Sequence, residues 1–340
     1  MSRRTLTLLL STLLATCLVV GALVAQVPYV ALGPGPTFNT LGDEDGKPVI
    51  SITGRQTYPT PGHLDLTTVG VQASLTLGEA LQGWFRRDEA VVPRDLVFPP
   101  GQTDDQVDAE NTRAMTESQD AATTAALSSL DIPVAVEVAA VSEGSPAQGR
   151  LQADDVLTTV DGTPVTSPVQ LRSLIGERAV GDVVRIGYRR GSTPGTAELT
   201  TAASGEAAPR PVIGVETGVE YPFTVDIALK EVGGPSAGLM FALGIIDKLG
   251  PESLTGGRYV AGTGEISADG VVGPIGGIQQ KVVAARGKGA ELFLVPAANC
   301  ADAVANAPEG LRLARVETLT DALTALAAVR GGGEPVACAA

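Results

Sequence analysis

The chain has 340 residues, 44% of them hydrophobic, with 24 Lys and Arg against 38 Asp and Glu for a formal net charge of −14. That length and apolar content exclude a disordered chain and allow roughly two or three packed units. The acidic balance, without clustered Lys or Arg, excludes binding to a phosphate backbone, so no nucleic-acid partner is expected.

Residues 5–25 form an almost purely apolar run preceded by Arg3 and Arg4. A helix of that length covers a bilayer core, and the two arginines favour a cytoplasmic N-terminus. The expectation is a single-pass cell-membrane anchor within residues 1–30, with the rest of the chain outside the cytoplasm. A cleaved signal peptide is the competing reading, which Leu23-Val24-Ala25 fits poorly as a cleavage site. Cys17 then reads as a membrane-buried thiol. Residues 31–130 are expected to form an extracytoplasmic region, entered through the turn-rich Gly33-Pro34-Gly35-Pro36. It holds strands at 49–52 and 64–71 and a helix within 75–85 that carries Trp84, the sole tryptophan. A second helix starts after Thr103, a suitable N-cap, and runs towards Leu127. His63, the sole histidine, falls in a loop and reads as solvated surface rather than as a base.

From 131 to 203 the pattern changes to short strands at 134–141, 156–160, 183–188 and 197–200, with a helix at 168–175. Within it come Gly144-Ser145-Pro146-Ala147, then Asp154-Asp155-Val156-Leu157, then Asp161-Gly162. This order of motifs and elements resembles a PDZ domain of the bacterial protease type. The resemblance implies capture of an extended peptide at a sheet edge. No Gly-Leu-Gly-Phe-like carboxylate loop precedes Val134. Residues 204–210, small, polar and Pro-containing, read as a linker.

The unit at 211–330 carries the chemistry. Phe223, Val225, Ile227 and Leu229 alternate with Thr224, Asp226 and Ala228, as in a strand with one buried face. Gly233-Gly234-Pro235-Ser236-Ala237-Gly238 then leads into a largely apolar helix, with Pro235 expected at its first position. Ser236 would sit in the first turn, where unpaired N–H groups and the helix dipole favour an oxyanion. Gly234, Pro235 and Ala237 are the expected oxyanion and substrate-backbone residues. A serine nucleophile needs a base, and with one histidine in the chain lysine is the substitute. Of the five lysines, Lys248 and Lys288 lie at helix ends where the dipole favours the ammonium, and Lys47 adjoins Asp43-Glu44-Asp45. Lys281 lies near the start of a helix at 278–286, among Ile278, Val282, Ala284 and Ala285, where dipole and burial both lower its pKa. Lys230 is the reserve candidate. On these residues alone, a plain helix start and an ordinary surface lysine stay open as alternatives.

Gly234-Pro235-Ser236-Ala237-Gly238, Gly262-Thr263-Gly264-Glu265-Ile266 and the run from Gly273-Pro274-Ile275-Gly276-Gly277 through Ile278-Gln279-Gln280-Lys281-Val282 resemble, in order and spacing, the proteolytic domain of Lon peptidases over 211–329. The resemblance implies Ser236 as nucleophile, Lys281 as general base and Thr263 as a hydroxyl that orients the lysine. Gly233 stands where many Lon proteases have an acidic residue. No Gly-x-x-x-x-Gly-Lys-Ser/Thr sequence occurs, so a nucleotide-driven unfolding engine is not expected. With the anchor and the PDZ-like unit, the chain resembles membrane-bound, PDZ-containing Lon-like peptidases.

The expectation is therefore an α+β multidomain chain with a transmembrane helix, a PDZ-like domain and a Lon-type proteolytic domain, ending in a flexible tail at 331–340. It would be an ATP-independent serine endopeptidase acting on extracytoplasmic or membrane-associated proteins, without cofactor or metal, since two cysteines and a distant histidine make no ligand cluster. The resemblance also allows a homo-oligomeric ring. A non-catalytic PDZ-type peptide-binding adaptor of the cell envelope is the alternative. Cys300 and Cys338 either form a disulfide that ties down the tail or remain two thiols.

Overall fold

The computed structural model describes residues 3–86, 88–205, 208–229 and 232–339. Helix α1 (Arg3–Val24) has no buried residue and is long and apolar enough to cross a membrane. A short ribbon follows, in which Gln26–Val27 pairs with Leu75–Thr76. Helix α2 (Leu77–Phe85) starts from that ribbon with a capping box, Thr76 accepting from the Glu79 amide while the Glu79 carboxylate accepts in return.

The principal sheet runs in the order Arg312–Val316, Leu292–Pro296, Tyr259–Gly262, His63–Gln72, Tyr29–Asn39, Ala90–Pro93. Its first four strands are parallel and its last two pairings antiparallel. Helix α3 (Asp104–Ser129), capped by Thr103 and Gln106, crosses from the sheet towards a second unit that contains α4 (Pro168–Gly176). Beyond that unit come α5 (Gly238–Leu249), α6 (Ile278–Gly287), α7 (Cys300–Asn306) and α8 (Leu319–Arg330). Strand Leu292–Pro296 is buried on both faces, as central parallel strands are. Leu292 and Leu294 join the core under α5 and α8, while Phe293 and Val295 join the opposite core under α6 and α7. Alternation along one strand thus builds three layers.

The expected border between 31–130 and 211–330 is corrected here. Leu64, Leu66, Met115 and Ala122 share one core with Leu239, Phe241, Leu294 and Leu326. The reason is physical: the C-terminal segment alone supplies three parallel strands and would leave Tyr259–Gly262 as a bare edge. Strand His63–Gln72 covers it. Helix α5 is buried from Gly238 through Asp247, so it also needs α3 on its far side.

The second unit has its own sheet, with the path Thr193–Thr200, Val183–Arg190, Asp155–Val160, Ala135–Val141, Val215–Glu220. Its separate core includes Val136, Val138, Leu157, Leu171, Ile186 and Leu199. Because Val215–Glu220 pairs with Ala135–Val141, the unit does not end at 203 but closes with a strand beyond the expected linker. It is an insertion between α3 and strand Thr224–Ile227.

Residues 331–340 were expected to be flexible, yet residues 336–338 lie along the outer strand of the principal sheet. Arg315 N–H donates to the Val336 carbonyl at 2.9 Å, Cys338 N–H donates to the Leu313 carbonyl at 3.1 Å, and a disulfide joins Cys338 to Cys300. The tail thereby masks an exposed edge. With the two cysteines 38 positions apart, the loop-closure entropy removed from the unfolded chain is worth up to about 4 kcal/mol. Cys338→Ser is expected to lower the denaturant midpoint correspondingly, and a reducing agent should do the same to the wild-type protein but not to the variant.

Candidate active site

The turn before α5 is shaped by three glycines and by the end of strand Tyr259–Gly262. Gly234 takes φ of +85°, where glycine is favoured, and Pro235 follows it. The Ser236 carbonyl accepts from Gly264 N–H at 2.9 Å and from Thr263 Oγ1–H at 3.0 Å, and Leu239 N–H donates back to the Gly264 carbonyl at 3.0 Å. These bonds tie the turn to the strand end instead of winding it into the helix. Helix α5 therefore begins at Gly238 with Ala237 as its cap, and the expectation of Pro235 at the first helical position is corrected. Ser236 lies two residues ahead of the helix, still at its positive end.

Lys281 sits one turn into α6, its N–H donating to the Gly277 carbonyl at 3.1 Å. Gly277 takes φ of +69°, and a Cβ there would collide with Val69, so glycine is required on both counts. Side chains on a helix lean towards its N-terminus, and the Lys281 Nζ reaches 2.9 Å from Ser236 Oγ and 3.0 Å from Thr263 Oγ1. Lys281 is 3% exposed and Thr263 fully buried. Since the single Thr263 hydroxyl proton goes to the Ser236 carbonyl, that oxygen presents only lone pairs to Nζ. Burial lowers the Lys281 pKa from the ordinary lysine value to about 8, against an opposing pull from Glu265. The start of α6 adds a field of the same sign as burial.

Ser236, Lys281 and Glu265 line a cleft of about 470 Å³, whose facing wall is Leu32, Pro36, Thr68, Val69 and Val71. That wall comes from the N-terminal half, and no motif announced it; its trace in the sequence is the alternation that marks a strand. Strand His63–Gln72 pairs with Tyr259–Gly262 only as far as Leu66 opposite Gly262. Beyond that point its edge has no strand partner among the described residues and opens to the cleft. Such an edge can hold an extended peptide by main-chain hydrogen bonds.

The structure brings Ser236, Thr263 and Lys281 together but redistributes the expected oxyanion residues. Gly234 N–H is engaged with the Asn111 carbonyl at 3.1 Å, and Pro235 has no N–H to offer. The Pro235 carbonyl in turn accepts from Ser118 Oγ at 2.9 Å. Of the expected three, Ala237 is left as a donor, joined by Ser236 itself; neither amide has an acceptor among the described residues. Both Asn111 and Ser118 belong to α3, which sequence reasoning did not connect to the site. Lys230 lies outside the described residues. Burial also lowers the pKa of Lys248, where the dipole alone suggested a fully stabilised ammonium. Its amine donates to the Leu41 carbonyl at 3.3 Å, away from the cleft. His63 stacks on Tyr259 with its Nδ1 3.6 Å from Asp65, outside the cleft.

Residues 229–328 match the Lon protease (S16) C-terminal proteolytic domain, and residues 107–201 match the PDZ domain. The chain is 36% identical over 92 residues to Lon protease 2 of Bacillus subtilis (strain 168), covering 27% of this chain and 16% of that protein. It is 40% identical over 97 residues to Lon protease of Paraburkholderia phytofirmans, covering 26% of this chain and 11% of that protein. The chain thus spans less than a fifth of the length of these curated relatives. Among solved structures, the PDZ domain of an SdrC-like protein from Listeria innocua is 30% identical, covering 26% of this chain and 97% of that one with a TM-score of 0.24. The chain carries a PDZ domain and a Lon-type (S16) proteolytic domain.

Proposed function

We propose that this protein is a membrane-anchored, ATP-independent serine endopeptidase that hydrolyses peptide bonds of extracytoplasmic or membrane-associated proteins, with Ser236 as nucleophile and Lys281 as general base. The observation that carries the reading is the 2.9 Å contact between a buried amine and a seryl hydroxyl at the wall of an open cleft. With Lys281 neutral, Ser236 O–H donates to the Nζ lone pair, and Oγ attacks the scissile carbonyl as its proton passes to Nζ. The oxyanion is received by the amides of Ser236 and Ala237 at the positive end of α5. The ammonium then returns the proton to the leaving amine, giving an acyl-enzyme on Ser236. Water, deprotonated by the same amine, releases the acid and restores the serine.

Thr263 is a positioning residue. By taking one N–H of the amine it turns the lone pair of neutral Lys281 towards Ser236. Thr263→Val keeps the volume and removes the acceptor. As Lys281 takes the Ser236 proton it becomes an ammonium, and a hydrogen bond to that charged group is worth about 1.5–3 kcal/mol, so kcat is expected to fall about 10- to 150-fold with KM little changed. Steady-state kinetics on a fluorogenic peptide checks this.

Three features support the setting. Helix α1 is long and apolar enough for a bilayer span, Arg3 and Arg4 favour a cytoplasmic start, and the Cys300–Cys338 disulfide suits an oxidising compartment. The sequence holds no Gly-x-x-x-x-Gly-Lys-Ser/Thr motif, so unfolded or exposed segments are the natural substrates. In the PDZ unit, the outer edge of strand Val215–Glu220 borders a cleft of about 380 Å³ lined by Pro168 and Arg172 of α4, Thr217 and Val219 of the strand, and Asp120 and Thr124 of α3. That edge fits peptide delivery, and it is also the observation that favours the adaptor reading. A serine-reactive phosphonate probe separates the two. Labelling of wild type but not of Ser236→Ala, increasing with pH through about 8 as Lys281 loses its proton, is the expected result. Peptide binding without labelling at any pH would replace the protease by the adaptor.

A further inference from the structure

We propose that α2 docks into the lipid interface beside the end of α1, through the exposed stripe Leu81, Trp84 and Phe85, and so holds the cleft at the membrane surface, where tethered substrates are cut close to the bilayer. The docking rests on the reading of α1 as an anchor, and its consequence for substrates rests on the protease reading.

From Thr5 to Val24 the apolar part of α1 is about 30 Å long at 1.5 Å per residue, the thickness of a hydrocarbon core. The anchor has no length to spare, so Ala25 emerges at headgroup level. Helix α2 begins at that point: Leu77 N–H donates to the Ala25 carbonyl at 2.9 Å, and a Cβ on Gly78 would lie 3.2 Å from the Leu23 carbonyl oxygen. The inner face of α2 is already packed. Ala80 clusters with Ala31, Leu75 and Val91, and a Cβ on Gly83 would lie 2.6 Å from Val91 Cγ2. On the outer face Leu81, Trp84 and Phe85, spaced i, i+3 and i+4, form one stripe and are 38%, 54% and 88% exposed. Leu96, also exposed, adds to the same end, since Arg94 N–H of its turn donates to the Pro28 carbonyl.

Large side chains gathered on a face that the core does not use mark a surface with a partner. Next to a bilayer-spanning helix, that partner is the headgroup zone, where aromatic rings are favoured and short amphipathic helices lie in plane. The docking carries through to the site. Trp84 packs edge-on against Tyr29 at 6.0 Å between centroids, and Tyr29 opens the strand that forms the cleft wall. Leu32, three residues on and about 10 Å along the strand, already lines the cleft.

Trp84 is the only tryptophan, so emission excited selectively in tryptophan reports this stripe alone. The full chain is reconstituted into phosphatidylcholine–phosphatidylglycerol vesicles that carry nitroxide labels either near the headgroup or deep in the acyl chain. The expected result is blue-shifted emission, stronger quenching by the shallow label than by the deep one, and little quenching by aqueous iodide. Iodide quenching without lipid quenching places the stripe in water, and protection from both places it against protein; each overturns the docking. Failure of the chain to float with vesicles overturns anchor and docking together.

Leu81→Asp with Phe85→Asp retains Trp84 and α1. It is expected to make Trp84 accessible to iodide and to lower cleavage of a vesicle-tethered peptide about tenfold through lost effective concentration. Cleavage of the same peptide free in solution should be unchanged. Equal rates on the tethered peptide before and after substitution would overturn the consequence for substrates. If neither peptide is cut by wild type, the protease reading fails while the quenching result still decides the docking.

Discussion

Ser236→Ala and Lys281→Met are each expected to lower kcat/KM for peptide hydrolysis by at least about 10³-fold, and the double substitution by no more than the larger single loss. The non-additivity follows from the geometry. One proton moves between two atoms 2.9 Å apart, and removing either end removes the step. Lys281→Arg should be as inactive as Lys281→Met, because a guanidinium stays protonated and has no lone pair to offer. Folding gives an independent readout. The native Lys281 pKa is lowered by burial to about 8, below that of the unfolded chain. Between the two values the unfolded chain binds the extra proton, so native stability rises with pH across that window. Below it the buried amine must be charged, at a cost on the order of 3 kcal/mol. Lys281→Met should accordingly be more stable than wild type at pH 7, with the advantage vanishing towards pH 10.5. Urea midpoints at the two pH values check it, and a variant that loses activity by unfolding would show the opposite sign.

How far the site was legible follows from where each part lies in the chain. Ser236, Thr263 and Lys281 sit in short motifs whose glycines are fixed by local backbone demands, such as the left-handed Gly234 and Gly277, and local demands leave local traces. The cleft wall at Leu32, Pro36, Thr68 and Val69 depends on a pairing between residues about 200 positions apart, and nothing in the alternation of 64–71 names its partner strand. The boundary at 203 failed for a related reason. Strand Val215–Glu220 completes the PDZ sheet after a polar stretch that has every mark of a linker, so composition and topology gave opposite answers. The free PDZ edge strand, Val215–Glu220, comes last in the unit and follows Ile213-Gly214, so the segment ahead of Val134 does not lead into that edge. The expectation for Gly234 was drawn from the unpaired amides of a helix start. Only the position of α3 shows that Asn111 already occupies the amide of Gly234.

That brace leads to the second large effect. Gly238→Ala places alanine at the first residue of α5, where helix propensity alone favours it by up to about 1 kcal/mol. The surroundings reverse the sign. A Cβ at 238 would lie 2.7 Å from Ser118 Oγ, 2.8 Å from Ile266 Cγ2 and 3.2 Å from the Ile266 backbone nitrogen. Two of these atoms belong to strand Glu265–Ile266 and one to α3, so the methyl has no direction in which to yield without moving an element that holds the Ser236 turn. Overpacking of this kind costs about 1–3 kcal/mol, and a shift of about 1 Å in a reacting group can cost about 10²-fold in rate. Gly238→Ala is thus expected to lose both stability and about 10²-fold in kcat. Gly176→Ala, at the end of α4 with open space around it, should be within about 0.5 kcal/mol of wild type and fully active. Adding Ser118→Ala removes the closest contact but also the bond to the Pro235 carbonyl, so it should restore part of the packing stability without restoring kcat. Helix α3 also meets the PDZ unit, half a turn beyond Ser118, where Tyr221 O–H donates to the Asp120 carbonyl and lies 3.0 Å from Thr124 Oγ1. A displaced α3 would therefore also be read at Tyr221. If Gly238→Ala proved as harmless as Gly176→Ala, α3 would not be bracing the catalytic turn.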